Sequence, residues 1–210
     1  MPSREIQTQG VSRPGAFLGQ ISSEVRSIAA EQCRSATGQI LDVGCGNGLL
    51  FAELGQLDAG RVGVDERLDL LSEGVSVLRD NDVTGVFLTQ SNAQSIPFPD
   101  GTFDKVLFLN TFMVLHQDKT VSEIVAELAR VTAPGGRIIA DIRNNGNLIL
   151  RTRYWINNRL GGFVARGYDI RQISGLFEAQ NCKIGTTHSI GPWLPFGPSA
   201  IVLEAEKLED

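Results

Sequence analysis

Sulfur and imidazole are scarce in this 210-residue chain. It has three cysteines, Cys33, Cys45 and Cys182, none in a C-x-x-C, and two histidines, His116 and His188. That spacing supplies no metal ligand set and argues against a disulfide scaffold or a structural zinc site. It fits a reducing compartment. No apolar run approaches the roughly 18 residues of a membrane helix. Met1 to Gly10 lacks the apolar stretch of a secretory leader. The expectation is a soluble cytoplasmic protein with no integral membrane span and no bound metal. There is no internal repeat and no low-complexity tract. Low hydrophobicity combined with high net charge, the signature of disorder, is also missing: 42% of residues are hydrophobic and the formal charge is −5.

A chain of this length is one domain by size. An acidic balance speaks against a general nucleic-acid binder. The charge is uneven, however. Between Arg143 and Arg171 stand Arg151, Arg153, Arg159 and Arg166, with no lysine and Asp169 as the one acid.

Leu18, Ile21, Val25, Ile28 and Ala29 are spaced for an N-terminal helix. Short, near-continuous apolar runs follow at Ile40 to Val43, Arg61 to Asp65, Val86 to Leu88, Phe103 to Leu109 and Arg137 to Ile142. Helical spacing separates them at Leu49 to Leu57, Leu68 to Leu78 and Ile124 to Val131, the last ended by Pro134-Gly135-Gly136. Runs of this kind between helices predict a parallel sheet covered on both faces, the doubly wound α/β class. Beyond Asn144 the expectation is a helix at Leu148 to Leu160 and another at Ile170 to Gln180. Strands at Lys183 to Ile190 and Ala200 to Glu206 follow, joined by the turn Pro192 to Pro198.

The sharpest motif is Leu41-Asp42-Val43-Gly44-Cys45-Gly46-Asn47-Gly48, between a predicted strand and a predicted helix. Glycines there let the backbone turn tightly and approach a ligand. In an open α/β sheet, ligands bind at the carboxyl ends of the strands. Asp65 ends the second strand, 21 residues after Gly44. A carboxylate there suits a ribose diol, because its two oxygens can accept from both hydroxyls. A dinucleotide fingerprint requires a small residue where Leu49 stands. An acid at Asp42 suits a ligand bearing an ammonium group better than a pyrophosphate.

LDVGCGNG followed by GVD resembles the class I S-adenosylmethionine-dependent methyltransferases. So do the run Ser91 to Asp104 and the segment Glu123 to Gly136, in order and at the expected separations over roughly residues 38 to 142. The resemblance implies a seven-stranded, mostly parallel sheet with the last strand antiparallel. It implies S-adenosylmethionine as cofactor and S-adenosylhomocysteine as product. Asp42, Gly44, Cys45 and Gly46 would then face the methionine half. Asp65 would bind the ribose, with Glu66 beside the adenine. Asn92 and Ala93 would sit at the adenine edge, Asn92 standing where many relatives have Asp. Asn110 would lie near the transferable methyl. Residues 1–210 read as one domain: a cofactor-binding core at 15–142, an acceptor-pocket or lid segment at 143–182, and C-terminal strands at 183–206.

Methyl transfer from a sulfonium is an in-line displacement, so the protein must align the nucleophile and exclude water. His116, after the fourth strand, is the candidate general base, needed only if the acceptor must lose a proton. Asn110-Thr111-Phe112-Met113 is not the Asn-Pro-Pro-Tyr type of motif of relatives that methylate amide or amino nitrogens. A small molecule methylated at oxygen is therefore favoured. Arg143, Asn144, Arg151, Tyr154, Trp155 and Trp193 are the candidate acceptor ligands, since arginine forks suit a carboxylate or phosphate. A solvated basic face is one alternative for this segment. Another is contact with an anionic membrane surface, because Leu148, Ile149, Leu150, Trp155 and Ile156 lie among the arginines. Two other functions stay open: a non-catalytic cofactor-binding relative and a nicotinamide-dependent oxidoreductase. Oligomeric state is not readable from these features.

Overall fold

A computed structural model describes residues 16–160, 165–191 and 197–209. Its helices are α1 (Ala16–Cys33), α2 (Leu49–Leu54), α3 (Leu68–Asp80), α4 (Asp118–Val131), α5 (Leu148–Arg159) and α6 (Ile170–Glu178). Its strands are β1 (Gln39–Val43), β2 (Gly60–Asp65), β3 (Val86–Gln90), β4 (Phe103–Phe108), β5 (Thr132–Arg143), β6 (Cys182–Ile190) and β7 (Ala200–Lys207). A single 3-10 turn, Phe112–Val114, follows β4.

The strands form one seven-stranded sheet in the order β3-β2-β1-β4-β5-β7-β6. β1 to β5 pair in parallel, and β7 runs antiparallel to both its neighbours. Successive side chains of a strand point to opposite faces, and the core divides accordingly. Leu41, Val43, Val106, Phe108, Ile138 and Ala140 pack under α4 and α6 with Ile124, Leu128, Ile173 and Phe177. Ile40, Leu107, Ile139 and Val202 pack on the other face against Ile21, Val25, Phe51 and Leu78 of α1, α2 and α3. Burial on both faces is why these strands read as continuous apolar runs.

The chain leaves β1 toward β2 and β3 on one side, then crosses to β4 on the other. That reversal opens a crevice at the carboxyl ends of β1 and β4, where ligands bind in folds of this class. Most boundaries shift by only a few residues, but both ends of β5 bear on the site. β5 begins at Thr132, directly after α4, so Pro134-Gly135-Gly136 lies inside its irregular first half, where the pairing to β4 shifts register between Phe103 and Lys105. It also runs one residue further, to Arg143, which changes the reading of that arginine. Most of the expected turn Pro192 to Pro198, Trp193 included, lies outside the described residues.

Candidate active site

The glycine loop after β1 is fastened to β2: the backbone N–H groups of Gly44 and Cys45 both donate to the Val64 carbonyl, at 2.7 and 3.0 Å. Gly44 and Gly46 adopt left-handed φ of 74° and 53°. A Cβ on Gly44 would meet Thr111 Oγ1 at 2.6 Å, so this position takes glycine for space as well as for conformation. The Gly46 N–H donates to Asp65 Oδ2 at 2.8 Å, and the Arg67 N–H donates to Asp65 Oδ1 at 2.9 Å. Each Asp65 oxygen is thus oriented by one backbone donor and retains a lone pair for another.

A cleft of about 410 Å³ opens beside this loop, a volume that suits a small-molecule site. Gly44, Asp65, Glu66, Asn92, Ala93 and Asn110 line it, all candidates from the sequence. Thr111, Met113, Leu115 and Ile124 complete its wall, and no motif marked them. Asn92 folds into an Asx turn, its Oδ1 accepting from the Gln94 N–H at 2.8 Å. That side chain is thereby committed to shaping the turn.

Asp42 lies beneath the loop and is buried. Burial first, and then the neighbouring Asp65 carboxylate, push its carboxyl up to about 8, with Arg26 opposing. Cys45 corrects its assignment as a ligand contact. Its side chain is buried, its N–H is taken by Val64, and its Sγ packs where a Cβ on Gly63 would approach to 2.8 Å. Burial pushes its thiol up. Cys45 therefore acts by packing the loop onto β2. Gly46 contributes through its N–H to Asp65.

Asn110 closes the far side of the cleft. Its φ of 57° is left-handed, a region asparagine tolerates better than most residues. The conformation is held from every side. Its N–H donates to Asp141 Oδ1, its Oδ1 accepts from Arg143 Nη2 at 2.7 Å, and Arg143 Nη2 also reaches Ser22 Oγ at 3.0 Å. Arg143 Nη1 pairs with Asp141 Oδ2. Arg143 is only 1% exposed, so it is corrected from an open acceptor fork to the buried partner of Asp141 and Asn110. A signal existed in the sequence: Asp141 and Arg143 sit two apart in an apolar strand and so share one face.

A second cleft, of about 320 Å³, has no lining residue in common with the first; its His116 follows Leu115 of the first along the chain. His116, Asn144, Arg151, Tyr154 and Trp155 line it, again candidates from the sequence, joined by Asn145, Asn158 and Arg166. The floor is unusual. Tyr154 is buried, and its hydroxyl makes no well-formed hydrogen bond, although the Arg143 guanidinium lies close enough to act on it. Burial pushes the Tyr154 phenol up, and the Arg143 guanidinium opposes it. A buried polar group without a well-formed hydrogen bond is costly, and a ligand is one way to supply it. The wall is pinned by the segment after α5. The Arg166 N–H donates to the Met113 carbonyl at 2.8 Å, Tyr168 Oη to the Leu115 carbonyl, and Arg166 pairs with Asp118 at 2.8 Å. Trp193 lies outside the described residues. Among the described residues no cluster of His, Cys, Asp or Glu could hold a metal ion.

Residues 41–140 match the sequence profile of a methyltransferase domain. The chain is 32% identical over 120 residues to a fatty-acid O-methyltransferase of Mycolicibacterium smegmatis, covering 57% of this chain and 42% of that protein. It is 34% identical over 102 residues to a demethylmenaquinone methyltransferase of Halalkalibacterium halodurans, covering 47% of this chain and 40% of that one. The aligned stretch thus spans about two fifths of the length of these relatives. Among solved structures, YcgJ of Bacillus subtilis shares the fold with a TM-score of 0.69 at 17% identity, covering 90% of this chain and 100% of that one. Magnesium protoporphyrin IX methyltransferase of Synechocystis, solved with bound S-adenosylhomocysteine, does so with a TM-score of 0.72 at 16% identity, covering 94% of this chain and 90% of that one.

Proposed function

We propose that the chain is a class I S-adenosylmethionine-dependent methyltransferase, which moves the methyl group of S-adenosylmethionine, the cofactor of that family, onto a small acceptor held in the Tyr154 cleft. The observation that carries this reading is the Asp65 cleft, where a carboxylate with both oxygens preset faces a glycine loop that has no room for a Cβ at Gly44. The donor set suits an adenosyl ligand with an ammonium tail. Asp65 takes the ribose hydroxyls, Glu66, Asn92 and Ala93 border the adenine, and Asp42 with the Gly44–Gly46 backbone serves the charged end. Once bound, the cofactor supplies a sulfonium methyl already activated for displacement. The protein's share is alignment and dryness. Asn110, locked by Asp141 and Arg143, fixes one end of the cleft. Met113, Leu115 and Ile124 present apolar walls.

The two relatives are named for a fatty acid and for demethylmenaquinone, both small molecules, and this chain's acceptor is read as small too. Its finer chemistry follows from the second cleft. Arg151 offers a cationic fork, Trp155 a flat apolar wall, and Tyr154 a hydroxyl without a well-formed hydrogen bond. We read the acceptor as a carboxylate or phosphate compound methylated at oxygen, with His116 at the cleft wall as base where a proton must leave. In this reading the protein is one domain working in the cytoplasm, where its buried free thiols stay reduced.

Thermal unfolding with S-adenosylmethionine, S-adenosylhomocysteine and NAD, each added separately, tests the reading. A ligand at about 100 times its dissociation constant adds roughly 2.7 kcal/mol. The expected result is a higher melting temperature with both adenosyl ligands and none with NAD. No response to either adenosyl ligand overturns it.

A further inference from the structure

Helix α5 presents its apolar side chains to solvent. Only Leu150 and Tyr154 are buried. Leu148, Ile149, Trp155, Ile156 and Leu160 just past its end remain exposed, Trp155 by 56% and Leu160 by 80%. At about 100° per residue, Leu148, Ile149, Ile156 and Leu160 project away from the buried side, and Thr152, Arg153 and Arg159 lie among them. The helix carries Arg151, Arg153 and Arg159, all exposed, and no acid. The guanidinium of Arg159 lies over the Trp155 ring, 4.6 Å from its centroid.

Several large apolar side chains exposed on one helix mark an interaction surface, and the charge among them selects the occupant. We propose that α5 docks the protein on an anionic lipid surface, its outer leucine and isoleucine side chains entering the acyl boundary and its arginines meeting the headgroups. Leucine, isoleucine, arginine and tryptophan are the residue types that helices lying in the membrane interface use. The chain as a whole is acidic, at −5, so the attraction is confined to this segment and orients the protein. A symmetric contact with a second copy through the same face would set Arg153 and Arg159 against themselves. Trp155 belongs to both the outer face and the acceptor cleft. Docking would therefore bring the mouth of that cleft to the lipid surface. On the proposed methyltransferase reading, the acceptor is then an amphiphile drawn from the bilayer, its polar end toward Arg151 and Tyr154.

The test is co-sedimentation of the full chain with vesicles of phosphatidylcholine alone and of phosphatidylcholine mixed with phosphatidylglycerol. Binding is expected on the anionic vesicles and weak or absent on the neutral ones. The I149S/I156S double variant should bind about tenfold or more weakly. R153E/R159E should lose a similar factor at low salt and less at high salt. These positions lie outside both clefts, so each variant should keep the melting shift with S-adenosylhomocysteine, which also shows that it is folded. No sedimentation with either vesicle, or binding undiminished in I149S/I156S, overturns the proposal. So does a change of oligomeric state in I149S/I156S by sedimentation velocity without vesicle binding, which would make a second copy the occupant. If the native protein shows no melting shift while vesicle binding holds, the cofactor reading fails and the docking surface stands.

Discussion

The two clefts have no lining residue in common and are built from opposite materials. The Asp65 cleft stands on the carboxyl ends of parallel strands, and its polar groups are already engaged: Asp65 with two backbone donors, Asn110 with Asp141 and Arg143. The Tyr154 cleft stands on α5, a helix that buries only Leu150 and Tyr154, and the Tyr154 hydroxyl makes no well-formed hydrogen bond, with the Arg143 guanidinium close by. The first is preorganised for one ligand. The second leaves polar capacity unspent, which a ligand can take up. Apart from His116, the linings of the two clefts divide along the chain, before and after the end of β5 at Arg143.

Arg143 is where the two halves meet, so removing it should have the largest effect. Arg143→Met leaves the Asp141 carboxylate buried without its cation, a loss of about 3–5 kcal/mol. The melting temperature should fall by roughly 10 °C. Adding Asp141→Asn to that variant should recover part of the loss. Because Asn110 is released at the same time, S-adenosylhomocysteine affinity should fall too. A stable Arg143→Met protein with normal affinity would show the clefts to be independent.

Asp65→Ala should act on one cleft alone. Two charge-assisted hydrogen bonds to a diol are worth about 2–3 kcal/mol, so calorimetry should find S-adenosylhomocysteine bound about 100-fold more weakly. Acceptor-cleft residues would be untouched. A loss smaller than about fivefold would remove Asp65 from the ribose role.

This contrast also governs what was readable in advance. The positions of the strands follow from apolar runs bounded by glycine, and the Asp65 cleft from Asp42-Val43-Gly44 and Asp65 at the ends of β1 and β2, because backbone geometry ties those residues to one place. Cys45 was misread because adjacency in a loop says nothing of direction: its side chain turns down onto Gly63. Arg143 was misread because the strand was ended one residue early, at Ile142, which hid the same-face pairing with Asp141. The burial of the Tyr154 hydroxyl without a well-formed hydrogen bond depends on how α5 meets the end of β5, a tertiary fact that no local pattern encodes.

A pH titration separates the clefts more finely. Asp42, pushed up to about 8 by burial and by Asp65, is mostly protonated below that pH. A ligand with an ammonium group favours its carboxylate. S-adenosylhomocysteine affinity should therefore rise with pH, by about tenfold toward pH 8, and level off above it. Asp42→Asn should flatten the curve. Stability without ligand should run the other way. The folded state keeps a proton that the unfolded chain releases near the ordinary value of 3.8, so this group's contribution declines as pH rises from there to about 8. An affinity independent of pH in the native protein would place Asp42 away from the ligand's charge.

The smallest effects belong to the acceptor cleft, and they should be confined to it. Tyr154→Phe removes a hydroxyl that makes no well-formed hydrogen bond inside the protein beyond its approach to Arg143, so stability should change by less than about 1 kcal/mol. If that hydroxyl serves the acceptor, the acceptor KM should rise about fivefold, the worth of one hydrogen bond near 1 kcal/mol. Arg151→Ala removes an exposed cation whose attraction is screened by salt, so the rise should be about threefold at low ionic strength and fade as salt is added. Neither variant should alter S-adenosylhomocysteine affinity, since neither residue lines the Asp65 cleft. The two effects differ in kind as well as size. A hydrogen bond in a buried floor is indifferent to salt, whereas a fork at the rim is not. A salt-sensitive loss in Tyr154→Phe would move that hydroxyl to the rim, and a salt-insensitive loss in Arg151→Ala would carry the arginine into the floor beside Arg143.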